Sequence, residues 1–213
     1  VPFVCDNLLK AQGKTVSDDL PLKNTKIIDI GCGGGILSEA LARLGASVVG
    51  LDPCEANIKA AKLHASHSDA SLAERLVYLP MTAEDYLSQH NEEPFDAVVA
   101  SEVIEHVDNP KEFVNVCSKF VPVGGSLFFT TINRTTKSWL GAIIVAENVL
   151  GLLPAGTHEW KKFITTQELT TMMEDSGASV RLIHGMFYIP GLNKWTWFPD
   201  TSVNYALHAI KAR

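Results

Sequence analysis

The sequence predicts an α/β protein with a doubly wound, mostly parallel sheet of seven strands that closes in an antiparallel hairpin. From Lys26 onward, short apolar runs alternate with segments of helical periodicity. This alternation is typical of a parallel sheet that carries helices on both faces. The last two apolar runs, near 178–189 and 203–211, are joined by a short aromatic-rich connection. Parallel strands would need a longer crossover, so we expect these two to pair antiparallel.

The 213 residues fit a single domain, 1–213. Residues 1–25 read as a helical lead-in followed by a polar loop. We expect parallel strands at 26–30, 47–51, 76–79, 95–100 and 126–132, and helices near 34–44, 55–67 and 110–120. Residues 133–164 break the alternation with an apolar helix, so we expect a helical insertion or lid after the fifth strand. A capped helix at 165–176 precedes the hairpin.

Composition narrows the class of protein. The net charge is −6 and no run of Lys or Arg stands out, which argues against a nucleic-acid partner. The four cysteines lack the paired spacing of a metal site or a secreted framework, so we expect a reducing compartment. No signal or transit peptide is visible. Because the chain begins with Val1 and not with methionine, that absence says nothing about location.

Residues 26–35 read KIIDIGCGGG, an apolar strand that opens into a glycine turn before a helical segment. Such a turn is a cradle for a nucleotide-type ligand. A dinucleotide site would require G-x-G-x-x-G/A, with a small third residue for close packing of helix on strand. That third position is Ile36 here. Gly31, Gly33 and Gly35 instead give G-x-G-x-G, which resembles the class I S-adenosylmethionine-dependent methyltransferases.

Three further positions bear on the identity of the ligand. Asp29 favours a methyl donor over a nicotinamide cofactor, whereas Asp52 is compatible with both. Asp29 stands two residues before Gly31, as in that superfamily, where a carboxylate can orient the methionine ammonium of S-adenosylmethionine. Asp52 ends the second strand and is suited to accept from both ribose hydroxyls, but dehydrogenases use the same position. Met81 follows the third strand and is apolar and soft enough to pack on adenine. The same turn also reads as a helix start with Thr82 as its N-cap.

A group of acidic and histidine residues follows the fourth strand. Glu102, Glu105 and His106 are spaced i, i+3 and i+4, which places them on one face of a helical turn. Ligands of open α/β sheets lie beyond the carboxyl ends of strands. Two carboxylates and an imidazole can hold a divalent cation, with oxygen ligands favouring Mg²⁺ or Mn²⁺ and the imidazole leaving Zn²⁺ as an alternative. Without a metal the segment would shape the pocket, and His106 would be a candidate general base.

Six motifs extend the resemblance over essentially the whole chain. They read DIGCGGG, LGASVVGLDP, FDAVVASEVIEHV, GGSLFFTTINRT, GTHEWKKF and VNY. Together they resemble the ubiquinone biosynthesis O-methyltransferases, and the mitochondrial form is the closer match. The resemblance implies a Rossmann-like fold and methylation of catechol-type hydroxyls on a polyprenylated dihydroxybenzoate and on demethylubiquinol. It also implies a peripheral position on the matrix side of the mitochondrial inner membrane, among other ubiquinone biosynthesis proteins.

The resemblance also implies residue roles. These are cofactor contacts at Gly31, Asp52 and Ser101, and a divalent ion, usually Mg²⁺, at Glu102, Glu105 and His106. One departure is Cys5, where the family commonly has a basic residue. Residues 138–153 are apolar with basic flanks, and we expect them to lie on a membrane surface, with a buried core helix as the alternative. His158 is a second candidate base. A metal-independent small-molecule methyltransferase and a non-catalytic S-adenosylmethionine-binding module remain alternatives.

Overall fold

The computed structural model describes residues 1–15, 19–67, 72, 74–90, 94–135, 160–189 and 194–213. These residues form one sheet of eight strands. In chain order the strands are β1 (Lys26–Ile30), β2 (Ser47–Leu51), β3 (Leu76–Leu79), β4 (Ala97–Ser101), β5 (Ser126–Ile132), β6 (Ala178–Ile189), β7 (Lys194–Phe198) and β8 (Asn204–Lys211). Their order across the sheet is β3-β2-β1-β4-β5-β8-β6-β7. The first five strands are mutually parallel and the last three pair antiparallel.

The helices within the described residues match the predicted positions to within a few residues. They are α1 (Pro2–Ala11), α2 (Ile36–Arg43), α3 (Glu55–Ser66), α4 (Ala83–Gln89), α5 (Pro110–Lys119) and α6 (Thr166–Asp175). Short 3-10 turns cover Ile104–His106 and Trp160–Lys162. Side-chain oxygens of Thr82, Asn109 and Thr165 accept from backbone N–H groups in the first turns of α4, α5 and α6. Thr165 and Glu168 complete the predicted capping box.

Both faces of the sheet are buried by helices, which confirms the doubly wound prediction. One apolar core joins α1, α2 and α3 to sheet residues such as Ile27 and Phe128. The other joins α4, α5 and α6 to residues such as Ile28 and Phe129. Neighbouring residues of one strand therefore belong to opposite cores, as strand geometry requires. Strands buried on both faces explain the continuous apolar runs in the sequence.

The order of strands places a ligand crevice between β1 and β4. From β1 the chain winds outward through β2 to β3, and then returns to the other side of β1 with β4. Open α/β sheets bind ligands at such a reversal point, beyond the carboxyl ends of the strands. The glycine stretch follows β1 and the segment 101–106 follows β4, so both predicted motifs meet at this crevice.

The closing strands differ in one respect from the prediction. The antiparallel pair is present as β6 and β8, but the connection between them contains the additional strand β7, so the described residues form eight strands instead of seven. The aromatic residues of that connection favour extended structure, and β7 pairs with β6 as a hairpin at the edge. β8 lies inside the sheet, between β5 and β6.

Most of the predicted insertion, including 138–153 and His158, lies outside the described residues. Within the part of the chain that is described, no helix has the length and apolar character to cross a membrane.

Candidate functional site

The glycine loop after β1 is open where a ligand would approach. Gly33 has φ +53, and a Cβ built on it would meet no atom of the described residues within 4 Å. Gly31, with φ +71, is packed differently, because a Cβ there would stand 2.4 Å from Cγ2 of Val103. The loop is therefore packed against the segment after β4 at Gly31, whereas the space beside Gly33 is open. Both conformations favour glycine.

Asp52 links this loop to the end of β2. Its carboxylate is largely buried, and Oδ2 accepts from the Gly33 N–H at 3.0 Å. Oδ1 accepts from the Cys54 N–H at 2.9 Å and from Nδ2 of Asn57 at 3.2 Å. A carboxylate has about four lone-pair sites, so Asp52 retains acceptor capacity toward a diol. Its orientation is fixed before any ligand arrives.

Asp29 lies beneath the same loop, at 1% exposure. Oγ of Ser38 donates to its Oδ2 at 2.5 Å. Burial raises the pKa of Asp29 to about 6, with a smaller contribution from the charge of Asp52, although the Ser38 hydrogen bond acts in the opposite direction. A cation bound beside this carboxylate would hold it ionised.

Two cavities meet above the β1–β4 crevice. The smaller one, about 300 Å³, is lined by Asp29, Gly31, Gly34 and other loop residues. The larger one, about 510 Å³, is mostly apolar. Its wall includes Phe3, Val4, Leu37, Val99, Phe128, Met186 and Trp197, together with the polar residues Ser101, Glu102, Thr130 and Thr196. Ser101 and Leu37 line both cavities and therefore stand at their junction.

A further cavity of about 360 Å³ opens at the opposite edge of the sheet. Lys26, Ser47 and Arg75 are among its lining residues, which places it at the amino ends of β1–β3. It contains none of the predicted site residues, so the β1–β4 crevice remains the candidate site.

The ends of β4 and β5 are joined by a short hydrogen-bonded chain at the larger cavity. Oγ1 of Thr130 donates to Oε1 of Glu102 at 2.7 Å, and Oγ of Ser101 lies 2.9 Å from the same Thr130 oxygen. One residue further along β5, Oγ1 of Thr131 donates to Oε2 of Glu105 at 2.8 Å. Two consecutive threonines thus contact the two carboxylates that the sequence singled out.

The predicted three-residue metal site is not formed in this structure. Within the described ranges, no three His, Cys, Asp or Glu side chains are close enough together to hold a metal ion. The prediction assumed one helical turn, but Glu102 has φ +56 and precedes a 3-10 turn that covers only Ile104–His106. Glu105 is buried at 4% exposure, whereas Glu102 and His106 are exposed. The three side chains are therefore not brought together.

Glu102 and Glu105 still form a pair of like charges. Glu102 is an exposed residue that lines the larger cavity, and partial desolvation of its carboxyl group raises its pKa to about 7. The nearby negative charge of Glu105 raises the pKa of Glu102 further, against the Thr130 hydrogen bond. Such a pair favours either a bound proton or a bound cation. As a donor set, two carboxylates match the way Mg²⁺ is commonly held, with other ligands from water or substrate.

Comparison with known proteins decides the family. A family model described as "Methyltransferase domain" matches residues 3–183. The chain is 47% identical over 213 residues to the rat protein named ubiquinone biosynthesis O-methyltransferase, mitochondrial, and covers 61% of it. It is 43% identical over 207 residues to the ubiquinone biosynthesis O-methyltransferase of Methylobacterium sp. strain 4-46, covering 97% of this chain and 81% of that one. The chain belongs to the ubiquinone biosynthesis O-methyltransferase family.

A solved structure of low sequence similarity agrees on the fold. Magnesium protoporphyrin IX methyltransferase from Synechocystis PCC 6803, crystallised with bound SAH, superposes with a TM-score of 0.65 at 20% identity, over 99% of this chain and 83% of that one. The eight-stranded architecture is thus the Rossmann-like fold of class I methyltransferases, as predicted. The chain spans only 56–61% of the length of its mammalian relatives.

Two features of the sequence remain to be located in this fold: the turn that contains Met81 and Thr82, and the position of Cys5. Met81 is half-buried against the core and lies in the turn after β3, near the end of β2. Oγ1 of Thr82 accepts from the Asp85 N–H at 3.1 Å, which confirms the N-cap reading of that turn. The contact of Met81 with adenine stays a prediction. Cys5 is buried within α1, so its side chain belongs to the core and not to the crevice.

Sequence reasoning missed the residues that α1 and β5 contribute. Phe3 and Val4 of α1 line the larger cavity, and Phe3 stacks on Trp197 at a ring-centroid distance of 5.1 Å. The sequence indicates Thr130 only as part of a strand. Its role depends on the pairing of Ser101 with Thr130 across β4 and β5, which no local pattern encodes.

Proposed function

We propose that this chain is an S-adenosylmethionine-dependent O-methyltransferase that methylates catechol-type hydroxyls in ubiquinone biosynthesis. The acceptors would be a polyprenylated dihydroxybenzoate and demethylubiquinol. The observation that carries the proposal is the junction of two cavities at Ser101, one framed by the glycine loop and the other apolar with Glu102 at its edge. Family membership gives the reaction class, and the two adjoining cavities support separate sites for the methyl donor and the acceptor.

The smaller cavity would receive the methyl donor. The open backbone at Gly33 admits the ligand, and Asp52 retains acceptor capacity for the ribose hydroxyls. Asp29 lies on the same cavity, where its carboxylate would attract the methionine ammonium. These three residues bind and orient the donor, and none of them takes part in bond making.

The larger cavity would receive the acceptor ring. Its wall of aromatic and aliphatic residues suits an apolar substrate. The phenolic oxygen attacks the methyl carbon of the sulfonium, the oxygen–carbon bond forms, and the carbon–sulfur electron pair returns to sulfur. A phenol has a pKa of about 10, by analogy with tyrosine, so it needs a proton acceptor near neutral pH. Glu102, whose pKa is raised, is placed at the cavity edge to take that proton.

Alignment of the two reactants would supply much of the rate. Correct positioning of two bound groups can contribute roughly 7–11 kcal/mol to lowering a barrier. The apolar walls would also exclude water from the reacting oxygen and the sulfonium.

A divalent cation fits Glu102 and Glu105 but not the full predicted set. Mg²⁺, or Mn²⁺ or Zn²⁺ in its place, would bind the two carboxylates and, when bound, lower the pKa of a chelating catechol. The like charges of the pair support this proposal. His106 is exposed and is left as a candidate base for a metal-free reaction.

Metal removal tests this part of the proposal. Turnover of S-adenosylmethionine with a prenylated catechol is measured before chelation, after chelation with EDTA, and after Mg²⁺ is restored. Loss and recovery of turnover would support the carboxylate pair as a cation site. Unchanged turnover after complete metal removal would favour the metal-independent alternative, with Glu102 or His106 as the base. The variant Glu105→Gln separates these cases, because it weakens the response to Mg²⁺ only if the pair binds it.

A peripheral membrane location completes the proposal. The rat relative carries "mitochondrial" in its name, and we propose the matrix side of the inner membrane, beside other ubiquinone biosynthesis proteins. The apolar segment 138–153 would rest on the bilayer so that a polyprenyl tail stays in lipid while its head group enters the cavity. His158 remains the second candidate base. Co-sedimentation with cardiolipin-containing liposomes, compared with a 138–153 deletion, tests the segment: equal binding would rule out this role.

A further inference from the structure

We propose that Thr130 is a positioning residue that orients both Ser101 and Glu102, and so aligns the cofactor side of the site with the acceptor side. The inference rests on the methyltransferase activity proposed above. Thr130 lies in β5 directly opposite Ser101 of β4, and it lines the larger cavity. It touches both residues through one hydroxyl group.

Thr130 holds Glu102 at two points. The Glu102 N–H donates to the Thr130 carbonyl oxygen at 3.0 Å, and Oγ1 of Thr130 donates to the Glu102 carboxylate at 2.7 Å. Glu102 has φ +56, a left-handed conformation that costs a non-glycine residue about 1–2 kcal/mol. A residue persists in that conformation when its surroundings fix it. Thr130 supplies two such contacts, one on the backbone and one on the side chain.

The single proton of the Thr130 hydroxyl sets the direction of the hydrogen-bonded chain. When Glu102 acts as the proton acceptor its carboxylate is ionised and only accepts, so this proton goes to Glu102. The bond between Ser101 and Thr130, at 2.9 Å, must then use the proton of Ser101. Ser101 is left with acceptor lone pairs at the junction of the two cavities. An acceptor there suits the ammonium of S-adenosylmethionine, which can only donate.

Threonine is suited to this task by its stiffness. A β-branched side chain in a strand has few accessible χ1 rotamers, so the hydroxyl keeps one direction. Serine carries the same hydroxyl with more rotational freedom, and valine keeps the shape without the hydroxyl. These two substitutions therefore separate the hydrogen bonds from the packing of β5.

The test compares Thr130→Val, Thr130→Ser and wild type in two assays. Calorimetric titration with SAH reports on Ser101, and steady-state kinetics with a prenylated catechol report on Glu102. For Thr130→Val we expect SAH affinity to fall about fivefold, the loss of one net hydrogen bond. We expect kcat to fall by at least about tenfold while KM for the acceptor changes less than about twofold, because the orientation of Glu102 matters in the transition state. Thr130→Ser should recover most of both losses.

Two controls make the result specific. Thr171→Val removes an exposed hydroxyl on α6, remote from the crevice, and should leave both assays unchanged. Adding Thr130→Val to Glu102→Ala should change kcat by less than about twofold, because the effect on kcat passes through Glu102.

Three results would overturn the proposal. Wild-type values in Thr130→Val would exclude a positioning role, and equal losses in Thr130→Val and Thr130→Ser would assign the effect to packing. Full additivity with Glu102→Ala would exclude action through Glu102. Each of these requires a wild-type chain that binds SAH and turns over. If wild type does neither, the proposed function fails, and the role of Thr130 fails with it.

Discussion

At the scale of residues, the site depends on a few backbone and carboxylate positions whose chemistry follows from local structure. A Cβ on Gly33 would meet no atom of the described residues within 4 Å, and Asp29 is buried beneath the same loop. Both residues were predicted from a ten-residue stretch, because a glycine loop between a strand and a helix constrains its neighbours strongly. The open space beside Gly33 and the raised pKa of Asp29 each lead to a testable prediction.

Substitution of Gly33 by Ala should lower the affinity for SAH strongly and lower the stability of the fold only modestly. The new Cβ would occupy the open face of the loop, so we expect SAH affinity to fall by at least about tenfold by calorimetry. The left-handed backbone adds about 1–2 kcal/mol of instability. Gly13→Ala is a matched control, since Gly13 has φ +65 and a Cβ there would meet no described atom within 4 Å. Gly13→Ala should lose similar stability and keep SAH affinity; equal loss of affinity in both variants would contradict the assignment.

Affinity for SAH should rise with pH as Asp29 ionises. Its pKa is raised to about 6 by burial, and the ligand ammonium stays protonated below pH 7. The attractive form of the pair therefore becomes populated between about pH 5 and 7. Asp29→Asn should flatten this dependence. Ser38→Ala should move the midpoint upward, because the Ser38 hydrogen bond lowers the pKa of Asp29. A flat profile in wild type would count against Asp29 as the ammonium partner.

At the scale of elements, helices and parallel strands were predictable and two irregular features were not. The apolar runs of β1 to β5 and the caps of α4 and α6 follow from periodicity and capping chemistry. The turn after β4 was predicted as helical, but Glu102 adopts a left-handed conformation instead. Its hydrogen bonds to Thr130, 28 residues away, stabilise that conformation. The extra strand β7 likewise depends on an edge that only the assembled sheet provides.

The β5–β8 pair contains a buried histidine that should make stability pH-dependent. His208 stacks on Phe128 at a ring-centroid distance of 4.4 Å, and its Nε2 lies 3.1 Å from Oγ of Ser126. Burial, and to a lesser degree the charge of Arg181, lowers the pKa of His208 to about 4. Between about pH 4 and 6.5 the unfolded state binds this proton and the folded state does not, so the free energy of unfolding falls as pH is lowered through that window.

Urea unfolding at pH 4.5 and pH 7 measures this effect. The wild-type midpoint should decrease more between these pH values than that of His208→Gln, which has no proton to bind. Asp29 acts with the opposite sign, because its raised pKa favours the folded state at low pH. Asp29 is present in both proteins, so the comparison of wild type with His208→Gln isolates the effect of His208. Equal decreases in both proteins would show that His208 does not cause the loss of stability between pH 7 and pH 4.5.

At the scale of the whole molecule, the site is assembled from the ends of β1, β2, β4 and β5 and covered by α1. The parallel sheet and its reversal between β1 and β4 could be predicted, because alternation of strands and helices restricts the topology. The larger cavity could not, since its wall combines Phe3, Phe128 and Trp197 from distant parts of the chain. The predicted metal site at Glu102, Glu105 and His106 is not formed for the same reason, because the spacing of these residues along the chain does not determine the directions of their side chains.

The most direct test of this account follows a deuterated methyl group from S-adenosylmethionine to a prenylated catechol by mass spectrometry, with wild type and Gly33→Ala side by side. We predict that wild type transfers the label to a catechol oxygen and that Gly33→Ala transfers it at least about tenfold more slowly. Binding of SAH by wild type without any labelled product, as a non-catalytic binding module would show, would contradict the proposed function.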